Sequence, residues 1–119
     1  MSAEELITIS DRLQNWIFNT WSEVKVHREI PIRHRLVNGT LIEGTADLVL
    51  ETNEGLVIID HKTFPGNKDQ CRRKALEFAG QLDAYVNALE TATGKDVIGK
   101  YIYFPISGYV VLIPRPKRI

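Results

Sequence analysis

Apolar positions fall into two periodicities along the chain, and the places where one gives way to the other divide it into elements. From Glu4 to Ser22 the residues Leu6, Ile9, Leu13, Ile17 and Trp21 recur every three to four positions, which predicts an amphipathic helix. From Val24 to Val37 the period falls to two. Val24, Val26, Ile30 and Ile32 share one parity and Lys25, His27, Glu29 and Arg33 the other, so a strand with one packed face is expected. Asn38-Gly39 then gives a tight hairpin signal, because both residue types tolerate positive φ. A second strand is expected over Leu41 to Glu51, and after the turn Asn53-Glu54-Gly55 a third over Leu56 to Thr63. The unbroken Leu56-Val57-Ile58-Ile59 run in that third strand indicates burial on both faces.

Beyond a loop at Phe64-Pro65-Gly66-Asn67 the helical period returns. Ala75, Phe78, Ala79, Leu82, Tyr85, Val86 and Leu89 line one stripe of a single long helix, Asp69 to Glu90, that closes near Thr93-Gly94. Tyr101 to Phe104 and Tyr109 to Ile113 are short strands about Ser107-Gly108, and the proline-punctuated tail carries no element. The order α, βββ, α, ββ describes an α/β domain: a meander of three antiparallel strands plus two short ones in a mixed central sheet flanked by helices.

Length adds that 119 residues, 1–119, form one domain with one core. A single cysteine, Cys71, excludes an internal disulfide and a thiolate metal cluster, and a reducing cytoplasmic setting is expected. No apolar run approaches the roughly 20 residues of a membrane span, and MSAEEL lacks a basic secretion signal. Fifteen basic residues balance fifteen acidic ones. Attraction to nucleic acid must therefore come from local clusters, such as Arg33-His34-Arg35 or the Lys68 to Lys74 stretch. The chain has no Gly-rich phosphate loop, so it is not an ATP-driven motor.

Candidate chemistry lies where buried strands carry charge. Asp60 and Lys62 are two apart and share a strand face at the end of an apolar run. Asp47 interrupts the preceding strand, and a register centred on residues 53 and 54 sets it opposite Asp60. Two such carboxylates repel unless a proton or cation lies between them, and Mg²⁺ takes carboxylates together with waters and phosphate oxygens. Lys62 could then hold an attacking water and stabilise charge growing on phosphorus oxygens. His61 points to the other face, so its backbone carbonyl is the better candidate ligand. Gln81 and Tyr85, four apart, share a helical face that can lean over the strand ends. A structural ion-pair network of Asp47, Asp60 and Lys62 explains the same spacing and stays open.

Three blocks in order, Gly44-Thr45-Ala46-Asp47, Ile59-Asp60-His61-Lys62-Thr63 and Gln81-Leu82-Asp83-Ala84-Tyr85, resemble the RecB-type branch of the PD-(D/E)xK nuclease superfamily. The likeness runs from about Val26 to Leu89. It is greatest to the nuclease domain at the C-terminal end of bacterial helicase-nucleases of the AddA and RecB type.

The resemblance implies a restriction-endonuclease-like core and Mg²⁺-dependent hydrolysis of DNA, with Mn²⁺ able to substitute. It implies Asp47 and Asp60 as metal ligands, Lys62 as catalytic lysine, and Gln81 and Tyr85 as supports. Glu29, in Arg28-Glu29-Ile30-Pro31, matches a strand glutamate of the family and is an accessory ligand candidate. The implied partners are single-stranded DNA and a helicase domain of the same parent chain or complex, with this domain as its C-terminal segment. One departure is that Glu4 to Ser22 lacks the histidine the family usually carries on a helix before the first strand. The alternative is a catalytically degenerate nuclease fold kept for DNA binding or interaction.

Overall fold

A computed structural model describes residues 13–114. Residues 13–20 are helical (α1), and the earlier part of that predicted helix lies outside the described residues. Strands β1 (Val24–Arg35), β2 (Leu41–Thr52) and β3 (Leu56–His61) follow, then helices α2 (Lys68–Glu77) and α3 (Ala79–Thr93), then strands β4 (Val97–Phe104) and β5 (Tyr109–Leu112). The five strands form one sheet in the order β1-β2-β3-β4-β5. All neighbours are antiparallel except β3 and β4, which run parallel. A parallel pair needs a crossover, and the two helices supply it. The α/β class, the three-stranded meander and the mixed sheet all stand as expected.

Leu56, Val57, Ile58 and Ile59 are each at most 4% exposed, because β3 lies mid-sheet with a core on either face. Burying each such side chain contributes about 1.5–3 kcal/mol. Between the sheet and the two crossover helices, Ile58, Ile102 and Phe104 of the strands pack with Ala75 of α2 and Leu82 and Tyr85 of α3. On the other face Val57, Ile59 and Tyr103 pack with Leu13 and Ile17 of α1, flanked by Trp16 and Trp21. The two indoles meet edge-to-face at 5.4 Å and Trp16 meets Tyr101 at 5.1 Å, an aromatic cluster that accounts for both tryptophans as packing residues.

Four expectations need correction. The long helix is two, because Phe78 leaves helical geometry (φ −96°, ψ 1°) and caps α2 by donating its backbone N–H back to Ala75. Strand β4 begins at Val97, four residues early; the polar and small positions Gly99 and Lys100 hide it from the apolar pattern. The first hairpin is closed by three residues, Val37 to Gly39, with the Leu36 N–H donating to the Thr40 carbonyl. Only Gly39 there has positive φ (90°), while the Asn38 side chain accepts from the Thr40 N–H.

The fourth correction matters most. Val24 and Val26 pack on the α1 side, but Ile30 and Ile32, of the same parity, pack under α3. Glu29 between them adopts φ 52°, a left-handed conformation that inverts the alternation of β1. Its register partner is position 47, since Arg28 pairs with Leu48 and Ile30 with Ala46. There β2 inverts too: Ala46 packs under α3 while Leu48 and Leu50 pack on the α1 side.

Candidate active site

Asp47 therefore sits where β2 changes faces. The β2–β3 register (Leu48 with Ile59, Val49 with Ile58) carried one step further sets Asp47 opposite Asp60, as the turn at residues 53 and 54 predicts. That turn is held by Thr52, whose N–H and hydroxyl both donate to the Gly55 carbonyl at 2.9 Å. The carboxyl groups of Asp47 and Asp60 come within hydrogen-bonding reach of each other. The His61 N–H donates to Asp47 Oδ2 at 2.8 Å and fixes that carboxylate. Lys62 Nζ stands 2.9 Å from Asp60 Oδ2 as an ion pair. Its angle leaves that buried oxygen without a directional hydrogen bond among the described residues.

Electrostatics separate the two acids. Burial, with Asp60 only 6% exposed, and then the hydrogen bond with Asp47 push the Asp60 pKa up to about 6, against the opposing pull of Lys62. For Asp47, burial acts upward as the largest influence. It is outweighed by the hydrogen bond with Asp60, the His61 N–H and the nearby positive charge, so its pKa lies below the usual carboxylate value. Asp60 is thus the member of the pair that takes up a proton first, as pH falls through about 6, and a cation can take that proton's place between the two acids.

The lysine is held from its other side by an aromatic ring: Lys62 Nζ lies 4.2 Å from the Phe78 ring centroid. The break between α2 and α3 delivers that ring, whereas periodicity alone marks Phe78 only as a core position. The Lys62 N–H also donates to the Tyr103 carbonyl at 2.9 Å, so β4 fixes the residue just past the end of β3.

Gln81 and Tyr85 are brought together as their spacing implies, with Gln81 Nε2 donating to the Tyr85 hydroxyl at 3.4 Å. Tyr85 is buried and Gln81 exposed. The phenol lies against Gly44, where an added Cβ would fall 2.7 Å from Tyr85 Cζ. It is Phe78, rather than this pair, that contacts Lys62.

His61 turns its ring to the opposite face, edge-to-face with Tyr103 at 5.4 Å. Burial lowers its pKa; Asp47 opposes this and Arg28 reinforces it. Glu29 is exposed and lies opposite Asp47 in the register. Among the described residues no three His, Cys, Asp or Glu side chains gather as a metal cluster, so Asp47 and Asp60 stand as a pair.

Sequence reasoning missed one buried charge. Lys100 is 2% exposed and pairs with Asp83 of α3, fastening that helix to β4. Cys71, by contrast, is buried with its thiol toward the Gly66 carbonyl and the Ser107 hydroxyl, and a nucleophilic role has no geometric support.

A carboxylate pair and a lysine at the end of adjoining strands, with a Gln/Tyr pair on the helix beside them, bring together the three sequence blocks that carry the family resemblance. The PD-(D/E)XK nuclease superfamily profile matches residues 4–115, and the chain belongs to that superfamily. Among curated relatives, an ATP-dependent helicase/nuclease subunit from Carboxydothermus hydrogenoformans is 41% identical over 64 residues, 54% of this chain and 6% of the relative. Proteins of the same name from Clostridium botulinum (strain Loch Maree) and Thermoanaerobacter sp. (strain X514) are 33% and 29% identical over 73% and 76% of the chain. The match spans 7% and 8% of those two relatives.

Proposed function

We propose that this chain hydrolyses DNA phosphodiester bonds with a divalent cation, Mg²⁺ or Mn²⁺, held by Asp47 and Asp60. The observation that carries this reading is the close approach of those two carboxyl groups from adjacent strands, under the ammonium of Lys62. The residues fit such an ion. The pair offers two carboxylates, and the buried Oδ2 of Asp60, ion-paired with Lys62 but without a directional hydrogen bond among the described residues, keeps a lone pair free. Mg²⁺ is commonly held by one or two carboxylates and fills its remaining positions with water and phosphate oxygens. Further oxygen donors would be the His61 backbone carbonyl and, from the strand opposite Asp47, Glu29. When bound, the cation supplies charge that polarises a phosphoryl oxygen and acidifies water.

The chain's own groups do the rest. Asp60 gives up its proton to become a ligand, which its pKa of about 6 permits at neutral pH. Lys62, held between Asp60 and the Phe78 ring, orients the attacking water and stabilises the negative charge that develops on the phosphorus oxygens. Gln81, exposed on α3, donates to a phosphate oxygen, and Tyr85 fixes it from below.

The substrate in this reading is single-stranded DNA delivered by a helicase domain of the same parent chain or complex, in cytoplasmic DNA repair and recombination. The relatives' name joins the two activities, and a formal charge of zero gives this domain no long-range hold on DNA of its own. No helix among the described residues is long and apolar enough to cross a membrane.

The deciding experiment is cleavage of a labelled single strand with Mg²⁺ or Mn²⁺, alongside calorimetry with Mn²⁺. Cleavage by the chain and its loss in Asp60→Ala and Lys62→Ala are expected, with Mn²⁺ binding lost only in Asp60→Ala. A folded chain that binds no Mn²⁺, alone or within its parent polypeptide, would instead be a degenerate nuclease fold kept for DNA binding.

A further inference from the structure

Among the described residues the sheet has two open edges, β1 and β5, and they are protected very differently. Along β1 run Lys25, Arg28 and Arg33, with Pro31 lacking an N–H and the left-handed step at Glu29, all features that keep an edge from pairing with another chain. Strand β5, Tyr109-Val110-Val111-Leu112, carries no charge and no proline, and it pairs with β4 in unbroken register. The Ile113 N–H donates to the Lys100 carbonyl. By the alternation of an antiparallel ladder Val111 faces β4 as well, so Val110 and Leu112 turn their N–H and C=O groups outward.

Along this edge a groove of about 410 Å³ opens between β5 and α2. Tyr109 and Val111 form its floor, on the face they share with their partners Phe104 and Ile102. Lys68, Arg72 and Leu76, spaced by four on one exposed stripe of α2, form its wall. Neither cation has an ion-pair partner among the described residues. Leu112, opposite Tyr101, belongs to the other face of the sheet and is 57% exposed.

We propose that β5 accepts an extended segment of a partner protein as a further strand, with acidic side chains toward Lys68 and Arg72 and apolar ones beside Leu112. The outward backbone groups select a strand, and its alternation sets the two kinds of side chain on opposite faces. Charge selects among the strands available. A second copy pairing through its own β5 would bring the same two cations with it, and the residues that follow Pro114 in this chain, Arg115, Lys117 and Arg118, are basic too. Helix α2 stands between the groove and the carboxylate site, since Lys74 and Phe78 on its opposite flank approach Phe64 and Lys62. A DNA strand held at Asp47 and Asp60 therefore leaves this edge free, and the proposal does not depend on the nuclease reading.

The test uses the full chain and a nine-residue fluorescent peptide alternating valine with glutamate. Two companions have lysine for every glutamate, or proline for every second valine so that the backbone cannot pair. By anisotropy the glutamate peptide should bind on the order of fivefold more tightly than either, the scale of two exposed charge pairs. The double variant Lys68→Glu with Arg72→Glu should reverse the preference between glutamate and lysine. Hydrogen exchange supplies a readout in the wild-type chain: saturating glutamate peptide should slow the amides of Val110 and Leu112.

Equal binding of the three peptides, or none at millimolar concentration, overturns the proposal. So do an unchanged preference in the double variant and unslowed amides at Val110 and Leu112. Slowing of those amides by an oligothymidylate but not by the peptide would make the edge a nucleic-acid surface, and slowing that rises with protein concentration alone would make it a contact between copies; either result also overturns it.

Discussion

The Tyr85 phenol occupies the space that a side chain at Gly44 would fill. Helix α3 can approach β2 this closely only because position 44 has no Cβ, so the glycine of the first sequence block and the tyrosine of the third are one packing unit. Gly44→Ala should cost about 1–3 kcal/mol by overpacking, read as a lower urea midpoint. Tyr85→Leu in the same chain should recover part of that loss, because neighbours that share one space are non-additive. Additive effects of the two changes would contradict the contact.

The carboxylate pair makes the metal-free chain sensitive to pH in a calculable direction. Asp60 binds its proton more tightly folded, at about 6, than unfolded, at 3.8, so the folded state holds more proton between these values. Stability of the metal-free chain should thus fall as pH rises from about 4 to about 6 and level off above. Asp47 works oppositely and elsewhere: its lowered pKa adds stability above 3.8 that is lost only in more acidic solution. Mn²⁺ binding should strengthen through the same pH 4 to 6 interval as the proton leaves Asp60. Chemical denaturation in Asp60→Asn should lack the downward slope; a slope that persists would assign it to another group.

Phe78 holds Lys62 without touching the carboxylates in any way that binds metal. Phe78→Leu keeps the apolar volume and removes the ring face, a contact of about 0.5–2 kcal/mol. Cleavage should drop roughly threefold to thirtyfold, with Mn²⁺ affinity unchanged by calorimetry. Parallel loss of both would mean the ring supports the whole strand end instead.

The Lys100–Asp83 pair predicts an asymmetry. Asp83→Ala leaves an ammonium buried without its partner and should destabilise by about 1–3 kcal/mol, less than a fully enclosed pair because Asp83 is 43% exposed. Lys100→Met removes the charge and keeps the stem's packing, so it should cost less, and the double variant should be no worse than Lys100→Met alone. Thermal melts of the three variants decide this.

Which parts of the fold and site are legible in the sequence follows from the physics each element uses. Strands β2 and β3 and their turn are readable because apolar runs and Thr52 to Gly55 fix register locally, and Asp47 opposite Asp60 comes with them. The break at Phe78 is not, since its apolar stripe continues without interruption and only the departure of one residue from helical angles divides it. Lys100 is hidden for a related reason. A lysine in a strand reads as solvent-facing, and its partner lies seventeen residues away on a helix whose orientation is set by tertiary packing. Phe78 as the support of Lys62 depends on both facts at once.

The left-handed step at Glu29 has a mechanical consequence. Because β1 and β2 exchange sides at the same rung, the hairpin is a lever with a fulcrum beside Asp47: its stem is anchored under α1 and its arm under α3. Replacing Glu29 by glycine would ease the fulcrum's torsion, while a β-branched residue there would jam it.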